Sequence, residues 1–159
     1  MNLVYAAAIA AIYTILTIAI APISSGLMQC RISEALCVLP FFTGAAVPGL
    51  FIGCLLSNLL TGAMLPDVIF GSLATLLAAV CTYLLRKKNR YLAPLPSVLF
   101  NAVIVGALLV YAYQVGVPFW TAALWVGAGQ AIACYGLGIP LMLILEKYRT
   151  KLFPNREAA

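Results

Sequence analysis

Apolar runs separated by short breaks of Pro, Gly and charge organise this chain from one end to the other. The first run predicts a helix over about 3–21, stopped at Pro22. A loop from Ile23 to Ile32 follows, with Ser24-Ser25-Gly26 inside it. The next helix, about 33–43, is too short to cross a bilayer upright, which points to a cavity beside it. Thr43-Gly44 and Pro48-Gly49 mark a tight connection into a helix over about 47–61. Thr61-Gly62 and Pro66 make the turn into a helix over about 67–85, which ends at the basic loop Arg86 to Arg90. After Pro94 and Pro96 a helix covers about 96–114; Gly116 and Pro118 then lead into a last one over about 118–146 and a basic tail, 147–159. A span needs about 20 apolar residues, so the expectation is a single transmembrane domain over 1–159: an all-α integral membrane protein built as a six-helix transmembrane bundle.

Composition strengthens that expectation. Of the 159 residues, 65% are apolar and 8% charged, where soluble domains carry roughly a quarter charged residues. A soluble fold of this size leaves much of its surface exposed and could not hide so much apolar area. Residues 3–22 carry no Lys or Arg ahead of the apolar run, so they read as a retained first helix rather than a cleaved leader. Cys30, Cys37, Cys54, Cys81 and Cys134 show no CxxC spacing and the chain has no histidine, which argues against a structural zinc or a disulfide framework.

The net charge of +5 reads as topology rather than as a nucleic-acid surface. Arg86, Lys87, Lys88 and Arg90 form one cluster, and Lys147, Arg149, Lys151 and Arg156 another, both at ends of apolar runs where cytoplasmic anchoring charges belong. Both termini are then cytoplasmic, and Arg31, Glu34 and Asp67 stand together as the only charges at the outer end.

Those three are the first candidates for substrate binding. Rim charges can serve solvation, and Asp67 can serve its helix dipole; ionisable groups near membrane depth are otherwise functional candidates. Gln29 lies just upstream, and Arg31 and Glu34 are three apart, on one helical face. Asn58 lies about one turn below the outer end of its helix. Asn101 and Gln130 lie about a dozen residues from theirs, roughly 18–20 Å deep, and could face each other across a pocket floor or act as interhelical glue. Gly127, Gly129, Gly136 and Gly138 clear space around Gln130. Trp120 is a stacking candidate and equally an interfacial belt residue. Ala6/Ala10 and Ala7/Ala11 give two overlapping small-residue pairs, a flat stripe for close helix packing inside the bundle or for docking another subunit.

Catalytic signatures are missing: without histidine, HExxH, GxSxG or a phosphate loop, nothing supports an enzyme, a cofactor or self-powered transport. A substrate-binding subunit served by a separate motor fits the pattern.

The stretch Gln29-Cys-Arg-Ile-Ser-Glu-Ala-Leu36, with Leu39-Pro-Phe-Phe42, Pro48-Gly-Leu-Phe-Ile-Gly53, Asn58 and Asp67-Val-Ile-Phe-Gly-Ser-Leu-Ala-Thr75, resembles the QueT family, and Pro96 to Asn101 with the Gly-rich last helix extends the likeness over nearly the whole chain. QueT proteins resemble substrate-binding (S) components of energy-coupling factor (ECF) transporters. The resemblance implies a bundle of that type in a bacterial cytoplasmic membrane, partnered by a transmembrane coupling protein and two cytoplasmic ATPases. It implies a queuosine precursor or queuine, a deazaguanine base, as substrate. It also gives the stripe at Ala7 and Ala11, with Ala6 and Ala10, the role of docking on the coupling protein. Where the resemblance implies an acidic residue after a glycine, this chain has Gly129-Gln130.

Overall fold

A computed structural model describes residues 2–20 and 31–149. Among them every regular element is helical. Four helices are long and apolar enough to cross a membrane: α1 (Asn2–Ala19), α4 (Asp67–Lys87), α5 (Arg90–Tyr111) and α6 (Phe119–Lys147). Two shorter apolar helices, α2 (Ile32–Phe41) and α3 (Ala46–Leu60), lie between α1 and α4 in the chain.

Not all of these helices are simple α-helices. The first turn of α4, Asp67–Gly71, is a π-helix, as is Ile132–Leu137 within α6. Most unusual is α2, ten residues of 3₁₀-helix, although such runs seldom exceed three or four residues. At about 2.0 Å per residue it reaches roughly 20 Å where an α-helix would reach about 15 Å. Pro40, which has no N–H to donate, lies near its end.

Burial explains the arrangement. Every residue from Ser33 to Pro40 is buried, so α2 is enclosed on all sides rather than lying along a face. It packs against α1, α3, α4 and α6. One apolar cluster joins Ile9, Tyr13, Leu36, Leu50 and Ala79; another joins Cys37, Val38, Phe42, Cys134 and Met142. The outside is the reverse of a soluble protein's: Ile15, Leu99, Leu124 and Ile132 are all more than half exposed, as side chains facing lipid should be. Buried hydroxyls satisfy themselves on their own helices, as a hydrocarbon surround requires; Thr17 donates to Tyr13 O (2.9 Å) and Ser72 to Val68 O (2.6 Å).

The tightest seam joins α1 and α3. A Cβ added to Gly49 would lie 2.8 Å from Ala6 O, and one added to Gly53 would lie 3.0 Å from Ala10 O and 2.8 Å from Tyr13 Cβ. Ala6 and Ala10 are therefore buried by α3 within the chain, whereas Ala7 and Ala11 are exposed. Of the two small-residue pairs, the first is therefore taken up in packing within the chain, and the second faces outward.

The two ends of the bundle differ in charge. Arg90 Nη1 meets Glu146 Oε2 at 2.7 Å, bringing the start of α5 and the end of α6 together at a basic end. At the opposite end Arg31, Asp67 and Tyr113 converge.

Candidate functional site

Two buried polar groups lie along α2, an outer one at its start and an inner one a turn further on. In the outer group Arg31 Nη1 donates to Asn58 Oδ1 (3.1 Å), and Arg31 Nη2 lies 3.8 Å from Asp67 Oδ2. Asn58 Nδ2 donates to the Asp67 carbonyl (3.4 Å), and the Tyr113 hydroxyl donates to Asp67 Oδ2 (3.1 Å). Burial and the neighbouring carboxylate push the Tyr113 phenol above its ordinary pKa, which keeps it a donor. Three helix ends thus hold Asp67, which is 3% exposed.

Asp67 Oδ1 differs from its partner oxygen. Among the described residues it is the one buried side-chain nitrogen or oxygen without a hydrogen-bond partner. The π-turn folds it back over Gly71, where an added Cβ would lie 2.8 Å from Oδ1 and 3.4 Å from Asn58 Nδ2. A buried acceptor left open in this way carries a real desolvation cost and is prepared to accept from an incoming donor.

The inner group centres on Glu34, also 3% exposed. The Tyr13 hydroxyl of α1 donates to Oε1 and the Ser97 hydroxyl of α5 donates to Oε2 at 2.9 Å. Asn101 Nδ2 in turn donates to Ser97 Oγ (3.3 Å) and Ser97 O (3.0 Å), so the relay from Asn101 through Ser97 runs toward the carboxylate. From α6 the Cys134 thiol reaches Glu34 O (3.6 Å) and Gln130 Oε1 (3.5 Å), weak contacts that set Gln130 against the same region. Beside Glu34 is a cavity of about 10 Å³, lined by Tyr13, Cys37, Leu50, Thr75 and Ser97 among others, which is room for about one water.

The sequence model of the QueT transporter family matches residues 3–147. The chain belongs to that family. It is a membrane-embedded transport protein rather than an enzyme. Neither the curated proteins nor the solved structures contain a match.

Within this QueT-family chain, the structure revises where several candidate residues lie. Neither Glu34 nor Asp67 is an exposed rim charge, both being 3% exposed; Glu34 lies between Tyr13 and Ser97 because α2 enters the interior from its first turn. Arg31, Asn58 and Asp67 do come together. Asn101 and Gln130 each bond a residue one turn away on their own helix, and both lead to Glu34 instead of pairing across a floor. Trp120 is 75% exposed and packs edge-on against Phe119, apart from both polar groups. Gln29, with the rest of residues 21–30, lies outside the described residues.

Tyr13, Ser97 and Tyr113 are participants that sequence reasoning missed. One signal was available for Ser97, a hydroxyl four residues before Asn101 on the same helical face. Tyr13 offered only a polar tip in the middle of an apolar run.

Proposed function

We propose that this chain is the substrate-binding subunit of an energy-coupling factor importer, taking up a queuosine precursor or queuine. In this role it spans a bacterial cytoplasmic membrane as a six-helix bundle with both termini cytoplasmic, the basic end inside. The observation that carries the proposal is the pair of polar groups on one enclosed helix, the outer containing an open carboxylate oxygen. A deazaguanine ring presents N–H donors and a carbonyl on adjacent edges. Asp67 Oδ1 is an acceptor for the former, while Arg31 and Asn58 supply donors for the latter. Such a base is far larger than the 10 Å³ cavity, so seating it requires the helices around α2 to part, and the ligand must favour one arrangement to drive transport.

Energy then comes from partners: a coupling protein within the membrane and two cytoplasmic ATPases. The exposed Ala7 and Ala11 are the part of the stripe left for docking on the coupling protein. The test is calorimetric titration of the purified protein in detergent with deazaguanine bases. Saturable binding near one ligand per chain, weakened by Asn58→Ala, is expected; a lack of binding to every such base refutes the proposal.

A further inference from the structure

We propose that the basic end of the bundle is a binding site for the headgroup of an anionic phospholipid, formed by Arg86, Lys87 and Lys88 where α4 turns into α5. Arg86, Lys87, Lys88 and Arg90 crowd one short connection whose backbone is tied down. The last turn of α4, Leu85–Lys87, is 3₁₀, and Lys88 N donates to Leu85 O at 2.8 Å. Asn89 Oδ1 accepts from Tyr91 N at 3.1 Å and so caps the turn that opens α5. Arg86 is held more closely still. Its guanidinium lies 4.1 Å from the centre of the Tyr83 ring. That ring rests against the connection between α2 and α3, where a Cβ added to Gly44 would come 3.2 Å from Tyr83 Cε2. Like charges held this close repel one another unless a counter-charge offsets them.

The chain has too few carboxylates to supply that counter-charge. Of its four acidic residues, Glu34 and Asp67 belong to the polar groups along α2, and Glu146 is bonded to Arg90. Glu157 lies outside the described residues and is a single charge. Among the described residues Arg86, Lys87 and Lys88 form no ion pair. The complement therefore comes from outside, and the neighbours indicate its kind. Leu84, just before these cations, is exposed, and so are Tyr91 and Leu92 just after them. Exposed apolar groups on either side of a cation cluster suit a ligand with acyl chains beside its negative charge. A free phosphate or a purely acidic peptide leaves them bare. Charge alone orients a membrane protein, wherever on the loop it stands. The stacked guanidinium and the capped turn fix where the charges stand, as a headgroup contact requires.

Two lipids with the same acyl chains decide the matter. Wild-type protein in a neutral detergent is equilibrated with equal concentrations of phosphatidylglycerol and phosphatidylcholine, and bound lipid is counted by native mass spectrometry. Phosphatidylglycerol is expected to be retained about 30-fold over phosphatidylcholine. That preference should collapse in about 1 M ammonium acetate, where the screening length falls to about 3 Å. Lys87→Gln/Lys88→Gln removes two exposed charges, keeps Arg86 and Arg90, and should unfold within about 2 °C of wild type. It is expected to lower the preference by about tenfold. Equal binding of the two lipids by wild-type protein overturns the proposal, as does a preference that the double variant retains. Glycerol phosphate, a headgroup without chains, should not displace the lipid at the same concentration; if it does, the site takes a free anion and the proposal fails. Hexaglutamate that displaces the lipid assigns this face to an acidic protein segment and overturns it equally. If the double variant does not fold, the wild-type ratio and its loss in salt decide alone. None of these readouts involves a deazaguanine base, so their failure leaves the transport role standing.

Discussion

The seam between α1 and α3 and the enclosed helix α2 solve the same problem in opposite ways. At the seam, Ala6 and Ala10 meet Gly49 and Gly53, and backbone approaches backbone with almost nothing polar between; Thr14, bonded to Ala10 O at 2.8 Å, also reaches Gly53 O at 3.2 Å. Such contacts rely on dispersion over a close-packed surface and tolerate no added bulk. Around α2, by contrast, charged and hydroxyl groups are buried, one carboxylate oxygen is left open and a small cavity remains. The seam has the character of a fixed scaffold. The α2 region keeps its unsatisfied polarity where a ligand could relieve it. Tyr13 joins the two, with its Cβ against Gly53 and its hydroxyl on Glu34.

Overfilling the seam should give the largest effect. In Gly53→Leu the new Cβ falls 2.8 Å from Tyr13 Cβ and 3.0 Å from backbone at Ala10, and neither can move without separating the helices. A loss of about 3 kcal/mol is expected, seen as a drop of about 10 °C in thermal unfolding in detergent. The contrasting variant is Ala7→Leu on the exposed face of α1, which should unfold within about 2 °C of wild type. If the two variants unfold alike, the seam is not the scaffold it is described to be.

A smaller change should separate binding from stability in the outer group. Gly71→Ala places a methyl 2.8 Å from Asp67 Oδ1 and 3.4 Å from Asn58 Nδ2. The carboxylate is tied to Arg31 and Tyr113, so its displacement disturbs both. Replacing a helical glycine by alanine gains up to about 1 kcal/mol of helix propensity, which offsets much of the contact cost. Affinity for a deazaguanine base is expected to fall by about tenfold, the equivalent of about 1.4 kcal/mol, while the unfolding temperature changes by less than about 4 °C. Unchanged affinity would remove the outer group from the binding site.

The contrast also marks what the sequence makes legible. Lipid forces every backbone polar group into a helix or a closed barrel, so long apolar runs with Pro and Gly breaks suffice to read an all-helical membrane protein. The stretch from Gln29 to Thr75 is distinctive enough to carry the family. The depth of Glu34 was hidden, because a charge at the start of a short helix looks the same whether the helix lies at the rim or plunges inward; only the packing of four helices around Ser33–Pro40 decides it. The 3₁₀ and π geometry was hidden for a related reason: both reflect tertiary fit more than local preference. For the alanines, the stripe was visible in the spacing. Which of its two pairs α3 covers was not, since that depends on the partner glycines Gly49 and Gly53.

The smallest effect is expected at the basic end, where Arg90 Nη1 and Glu146 Oε2 are only 2.7 Å apart. The short distance suggests strength, but the side chains are 43% and 46% exposed, and solvent screens a pair in that setting. Such a bond contributes about 0–1 kcal/mol and weakens further with salt. Arg90→Ala should therefore shift thermal unfolding by no more than about 2 °C, with no change at high salt and none in base affinity. Arg86, Lys87 and Lys88 remain in the same basic cluster, so most of its charge is kept. The pair is shorter than the 3.8 Å contact between Arg31 and Asp67, yet the longer contact is nearly closed to water and the shorter one is open. Should Arg90→Ala lower affinity as much as Gly71→Ala, burial would not be what distinguishes the functional end, and the comparison between the two ends would fail.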